Sequence, residues 1–70
     1  MADKLATRIK AARVEAGMSR EKLAVELGVS LATVVRYETG RTKRISTDTL
    51  MAIAKATKQP LTFFLGKAAA

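Results

Sequence analysis

The chain has 70 residues, enough for one domain and too few for two. It contains neither cysteine nor histidine, so we expect no disulfide, no metal site, no cofactor and no enzymatic activity. Thirteen lysine and arginine residues face six acidic ones, and the net charge of +7 favours a polyanionic partner.

The composition predicts a helical protein. Apolar residues make up 49% of the chain, and only four glycines and one proline interrupt it, which is typical of a helical bundle rather than a β-sandwich. No apolar run approaches the roughly 20 residues of a membrane span, and residues 1–5 lead straight into a charged amphipathic stretch. We therefore expect a cytoplasmic protein with no membrane partner.

The first helix is predicted over residues 3–16. Asp3 is suited to cap its free amides, and Gly17 is suited to end it in the left-handed conformation. Apolar residues recur at helical spacing and predict one buried stripe. This stripe consists of Leu5, Ile9, Ala12 and Ala16.

Two short helices joined by a tight turn come next. Ser19 is expected to cap the second helix, which reaches about residue 27 before Gly28 ends it. Ser30 then caps a third helix over residues 31–39, closed by Gly40. The inward-facing residues are expected to be Leu23, Ala24, Leu27, Val29, Val34 and Tyr37. A small residue at position 24 lets the two helices approach closely, as in a helix-turn-helix.

The remaining chain predicts a basic loop and two more helices. After residues 41–44, either Ser46 or Thr47 caps a fourth helix that reaches about residue 56. Pro60 lacks the amide that a helix interior needs, so it opens a short fifth helix over residues 61–65. The core residues expected in these two helices are Leu50, Ile53, Ala54, Leu61 and Phe64.

Residues 19–30 and 33–40 resemble the two halves of the helix-turn-helix in the phage repressor and Cro-like family. The resemblance extends over about residues 5–65 and includes Arg-x-x-x-Gly-Met-Ser at 13–19 and Leu-x-x-Ile-Ala-Lys-Ala at 50–56. It implies an all-α, five-helix lambda-repressor-like DNA-binding domain with its helix-turn-helix at the second and third helices. Residues 1–66 would constitute that domain and residues 67–70 a short flexible tail.

The resemblance also implies that the third helix enters the major groove of double-stranded DNA. The expected base contacts are Ser30, Leu31, Ala32, Thr33 and Arg36. Arg36 can bind guanine O6 and N7 together, although an ordinary exposed charge is the alternative. Leu31 and Ala32 depart from the polar residues common in the family. They can pack against thymine methyl groups, with DNA shape assisting recognition, or Leu31 can instead cover the protein's own surface.

Phosphate contacts are expected around this helix. Arg20 stands where family members often carry glutamine, at the start of the second helix, where free amides also attract anions. The basic loop is placed to follow the DNA backbone, unless it is charged merely because it is exposed. The expected phosphate-contacting residues are Ser19, Arg20, Arg41, Lys43 and Arg44. The serine contributes mainly as a cap.

Two further expectations concern architecture and assembly. Arg13 and Glu38 match positions that form a structural ion pair in the family, which would neutralise an acid beside DNA. Phe63 and Phe64 are adjacent, so one helix face cannot bury both. Phe64 fits the core. An exposed Phe63 would be available for contact with a second copy, unless the C-terminal tail partly covers it. The family reads paired half-sites as dimers.

These features predict a sequence-specific transcriptional regulator, a repressor of phage or mobile-element type, that binds an operator as a homodimer. One alternative is an antitoxin that represses its own operon, although no separate toxin-binding segment is evident. The other is a protein-interaction module that uses the same fold without reading DNA. Steep weakening of duplex binding by salt would distinguish DNA binding from the latter.

Overall fold

The computed structural model describes residues 4–42 and 44–65. It contains five α-helices in chain order, and the described residues form no strand. These helices are α1 (Lys4–Glu15), α2 (Arg20–Leu27), α3 (Leu31–Thr39), α4 (Thr47–Thr57) and α5 (Leu61–Leu65). The all-α class and the five-helix order are thereby confirmed. The expectations for Asp3, Lys43 and the tail at 67–70 lie outside the described residues.

Serine side chains begin three of the helices. The hydroxyl oxygens of Ser19, Ser30 and Ser46 each accept a hydrogen bond from the amide three residues later, at 3.0, 3.2 and 3.1 Å. Each bond satisfies an amide that has no partner within its own helix. Ser46, rather than Thr47, therefore caps α4, while the two other serine caps lie where the sequence predicts them.

Residues in the left-handed backbone conformation end α2, α3 and α4. Gly28 and Gly40 adopt φ of +69° and +78° and cap α2 and α3. The corresponding residue after α4 is Lys58, at φ +59°, so α4 extends to Thr57 and not to the predicted residue 56. A lysine in this conformation gives no sequence signal of a helix end, because glycine is the usual residue there.

The core has two parts. The larger joins α1, α4 and α5, and the smaller joins α2 and α3, with Leu27 packed against both. The larger part contains Ile9, Ala12, Leu50, Ile53, Ala54 and Phe64. The smaller contains Leu23, Ala24 and Val34. All nine were assigned to the core from the sequence.

Several side chains differ from expectation in their burial. Ala16 is exposed because it lies beyond the last residue of α1, whereas Ala6 is buried. Val29 and Tyr37 are only partly buried, although each packs against a part of the core. Helical spacing identifies the inward side of a helix but not how completely its neighbours cover each position.

Phe63 is not a free aromatic side chain. It is partly buried against the larger core part, and its ring meets that of Phe64 edge to face, with centroids 5.3 Å apart and planes at 80°. This geometry is favourable for aromatic pairs. The expectation of a fully exposed Phe63 is therefore wrong, whereas contact with a second copy stays a prediction. In the described segments, every helix is too short or too polar to cross a bilayer.

Candidate nucleic-acid interface

The turn between α2 and α3 fixes how the two helices cross. The amide of Val29 donates to the carbonyl of Ala24 at 3.0 Å, and Gly28 supplies the left-handed conformation that this turn requires. A Cβ atom at position 28 would meet no heavy atom within 4 Å, so backbone conformation rather than space favours glycine. Ala24 and Val34 pack together in the smaller core part, which leaves the opposite side of α3 facing outward.

The outward side of α3 forms a shallow concave surface, named here the α3 face. It is lined by Leu31, Ala32, Val35, Arg36, Thr39 and Arg41. Four of these were predicted as DNA-contacting residues, and the structure brings them together. Val35 was missed, although its spacing of four residues from Leu31 and three from Ala32 places it on the same side of a helix.

The hydroxyl groups in and beside the α3 face already have partners within the protein. Ser30 and Thr33 hydrogen-bond to each other at 2.9 Å, while the Ser30 oxygen also caps the amide of Thr33. Thr39 donates its hydroxyl to the carbonyl of Val35 at 2.9 Å. The structure thus places Ser30 and Thr33 at the start of α3 as expected, but in a capping arrangement.

A buried ion-pair network lies behind the α3 face. The side chain of Glu38 is 0% exposed, and Arg13 donates to it from Nε at 2.6 Å and from Nη2 at 3.2 Å. The pair implied by the family resemblance is therefore present. Arg13 also donates from Nη1 to the carbonyl of Met18 at 2.7 Å, which ties α1 to the segment before α2.

Arg20 joins the same network, which the sequence did not predict. Its Nε donates to Oε1 of Glu38 at 3.1 Å, and its side chain remains 41% exposed. Two arginines from α1 and α2 thus surround one carboxylate of α3. The network links these three helices and removes the acidic group of α3 from the surface.

The other cations expected to contact phosphate are distributed around α3. Arg36 and Arg41 are exposed on the α3 face, and Arg44 is exposed on the loop that leads to α4. Ser19 is exposed at the start of α2, where its hydroxyl acts as the cap. Lys43 lies outside the described residues. The described part of the chain gathers no group of three or more potential metal-ligating side chains.

These features define a helix-turn-helix domain formed by α2 and α3. The outer face of α3 is cationic and partly apolar. Residues 9–64 match the model of the helix-turn-helix family of the Cro/C1 type, and the chain belongs to this family. Uncharacterized HTH-type transcriptional regulators of Sinorhizobium medicae (strain WSM419) and Rhizobium meliloti (strain 1021) are each 36% identical to it over 58 residues. These residues are 83% of this chain and 41% of either relative. The chain thus spans less than half the length of these relatives.

Solved structures show the same fold. The clp gene regulator ClgR of C. glutamicum aligns with a TM-score of 0.83 at 24% identity, over 94% of this chain and 84% of that one. PlcR of Bacillus thuringiensis, solved in complex with the peptide PapR7 and DNA, aligns with a TM-score of 0.79 at 29% identity. That alignment covers 99% of this chain and 24% of PlcR. The similarity confirms the five-helix fold.

Proposed function

We propose that this chain binds double-stranded DNA through residues 20–39 and regulates transcription, acting as a repressor of phage or mobile-element type that occupies an operator. The observation that carries this proposal is the charge of α3. Arg36 on α3 and Arg41 just after it are exposed, whereas Glu38 on α3 is buried between two arginines. Burial and neutralisation of the acid remove the repulsion that it would otherwise exert on a phosphate backbone.

The dimensions of α3 suit the major groove. An α-helix with its side chains is about 10–12 Å in diameter and the major groove is about 12 Å wide, so the nine residues of α3 can lie within it. In this arrangement the expected base contacts come from Ser30, Leu31, Ala32, Thr33 and Arg36. Phosphates on either side are bound by Ser19, Arg20, Arg41, Lys43 and Arg44. Such phosphate contacts position the protein, while base contacts select the sequence.

The oligomeric state and the cellular location of the protein belong to the same proposal. Two copies of the domain, each comprising residues 1–66, bind half-sites one DNA turn apart in the cytoplasm. The chain acts by binding and not by catalysis, in keeping with relatives named as transcriptional regulators. The complex of PlcR with DNA supports the choice of ligand.

Fluorescence anisotropy with a labelled random-sequence duplex tests the DNA-binding step. We expect binding at low salt, weakening as salt rises, with a log–log slope of about −0.9 for each phosphate contact. Arg44→Ala should reduce the magnitude of that slope by about 0.9, whereas Lys55→Ala, which removes the same charge from α4, should leave it unchanged. No binding even at low salt would refute the proposal and favour a protein-interaction module.

A further inference from the structure

We infer that the α3 face recognises the C5 methyl group of a pyrimidine in the major groove, next to a guanine bound by Arg36. The DNA sites that it prefers then contain thymine at this position. A 5-methylcytosine there is preferred over an unmethylated cytosine for the same reason. This inference rests on the proposed function, because it specifies what the DNA-binding surface selects.

The first support is the arrangement of apolar side chains. Leu31 and Val35 are one helical turn apart, and Ala32 lies beside them on the same side of α3. Leu31 is 42% exposed and Ala32 is also exposed, so neither is used to fill the protein core. A substantial part of the Leu31 side chain is therefore free to contact a base.

The second support is the lack of competing polar groups at this position. The hydroxyls of Ser30 and Thr33 hydrogen-bond to each other, and that of Thr39 donates to the backbone of α3. Between residues 31 and 35, all of which the structure describes, the only polar side chain is that of Thr33. The contact that Leu31, Ala32 and Val35 make with a base edge is consequently apolar in character, beside the base contacts proposed for Ser30 and Thr33.

The chemistry of the groove identifies the matching group. Among the four bases, only thymine presents a methyl group in the major groove, while cytosine presents an amino donor at the neighbouring position. Methylation of cytosine at C5 adds the same methyl group. Placing an apolar side chain against a methyl group removes both from water, whereas placing it against an amino group leaves a donor unsatisfied.

The positive charges beside the apolar residues of the α3 face favour DNA, rather than an apolar protein surface, as the partner of this face. Arg36 and Arg41 lie on the same face as Leu31, and the whole chain carries a net charge of +7. Arg36 follows Ala32 by one turn, so its guanidinium is displaced along the groove from the apolar residues. A guanine, which presents two acceptors to arginine, is the base that fits beside the methyl group.

The test begins with selection of bound sites from a duplex library with a randomised central stretch. In the best-bound duplex, each thymine is replaced in turn by uracil, which removes only the methyl group. At the position under Leu31 and Val35, we expect binding to weaken about fourfold. With cytosine placed at that position, C5 methylation should strengthen binding by about the same factor.

Protein variants assign the effect to the α3 face. Leu31→Ala should bring the thymine-to-uracil ratio of affinities close to one, and Val35→Ala should reduce it. Val25→Ala, a matched change at a valine that is 75% exposed on α2, should leave the ratio unchanged. Leu31 is partly exposed, so its replacement should leave the fold intact, which thermal melting verifies.

The outcomes separate this inference from the proposed function. A duplex that is selected and bound with sequence preference, yet shows no uracil effect at any thymine, would overturn the inference and leave DNA recognition intact. A methyl effect that persists fully in Leu31→Ala and Val35→Ala would overturn the assignment to this face. Failure to select any duplex would instead refute the proposed function.

Discussion

Replacement of Glu38 tests whether the buried ion-pair network holds the domain together. Glu38→Ala removes the acceptor of three hydrogen bonds and leaves Arg13, whose side chain is 11% exposed, without a carboxylate. Breaking a buried pair in this way costs about 3–5 kcal/mol. Because Arg13 keeps its bond to the carbonyl of Met18, we expect the lower end, about 3 kcal/mol.

That loss is large for a domain of this size. At roughly 0.05–0.15 kcal/mol per residue, 70 residues have a free energy of unfolding of about 4–10 kcal/mol. The expected fall in Tm is therefore about 15 °C. Urea unfolding followed by circular dichroism measures the change, and an unaltered m-value would show that the unfolded state is the same.

An exposed ion pair supplies the matched control. Glu26 lies 3.5 Å from Lys22 on α2, and its side chain is 44% exposed, so Glu26→Ala should cost only about 0.3–0.5 kcal/mol. If Glu38→Ala costs no more than Glu26→Ala, the reasoning is refuted. The double variant Arg13→Met with Glu38→Met should be less destabilised than the sum of its single variants, because neither charge is then left unpaired.

Three further predictions concern recognition and stability. Arg36→Ala should reduce discrimination between selected and random duplexes, and an equal loss for both would contradict its role in base readout. Phe64→Ala should lower the free energy of unfolding by about 3–5 kcal/mol because Phe64 is 2% exposed, and a loss below about 1 kcal/mol in urea would contradict its place in the core. Lys58→Gly should stabilise and Gly28→Ala destabilise the protein by about 1 kcal/mol each, and urea curves that show the same sign for both would contradict the left-handed geometry.

Helix boundaries could be predicted because the interactions that set them are local. A serine before a helix and a glycine after it act within three or four residues, so Ser19, Ser30, Gly28 and Gly40 are informative without tertiary contacts. The end of α4 was placed only approximately, at about residue 56, because Lys58 takes the left-handed conformation without the glycine that usually marks it. Thr57, the last residue of α4, is polar. Its hydroxyl donates to the backbone within α4, which lets it be buried at 3% exposure.

Apart from Val35, whose helical spacing could have placed it on the α3 face, the missed features depend on contacts between distant residues. Arg20 and Glu38 are 18 positions apart, and charge alone indicates neither which acid an arginine pairs with nor how exposed it remains. The exposure of Phe63 was predicted wrongly because its partly buried position depends on how α5 packs against the core. The family resemblance identified the Arg13–Glu38 pair, which local periodicity has no means to reveal.

The position of Arg20 connects the scaffold to the proposed DNA contact. Two arginines and one carboxylate leave a net charge of +1 in the network, and the bond to Glu38 uses one of the five donors of Arg20. The guanidinium is therefore restrained but still able to attract a phosphate. Since Glu38 belongs to α3, this restraint fixes the Arg20 guanidinium relative to the helix that carries Arg36. Under the proposed function, the same buried carboxylate that stabilises the fold also sets the register in which the α3 face meets the bases.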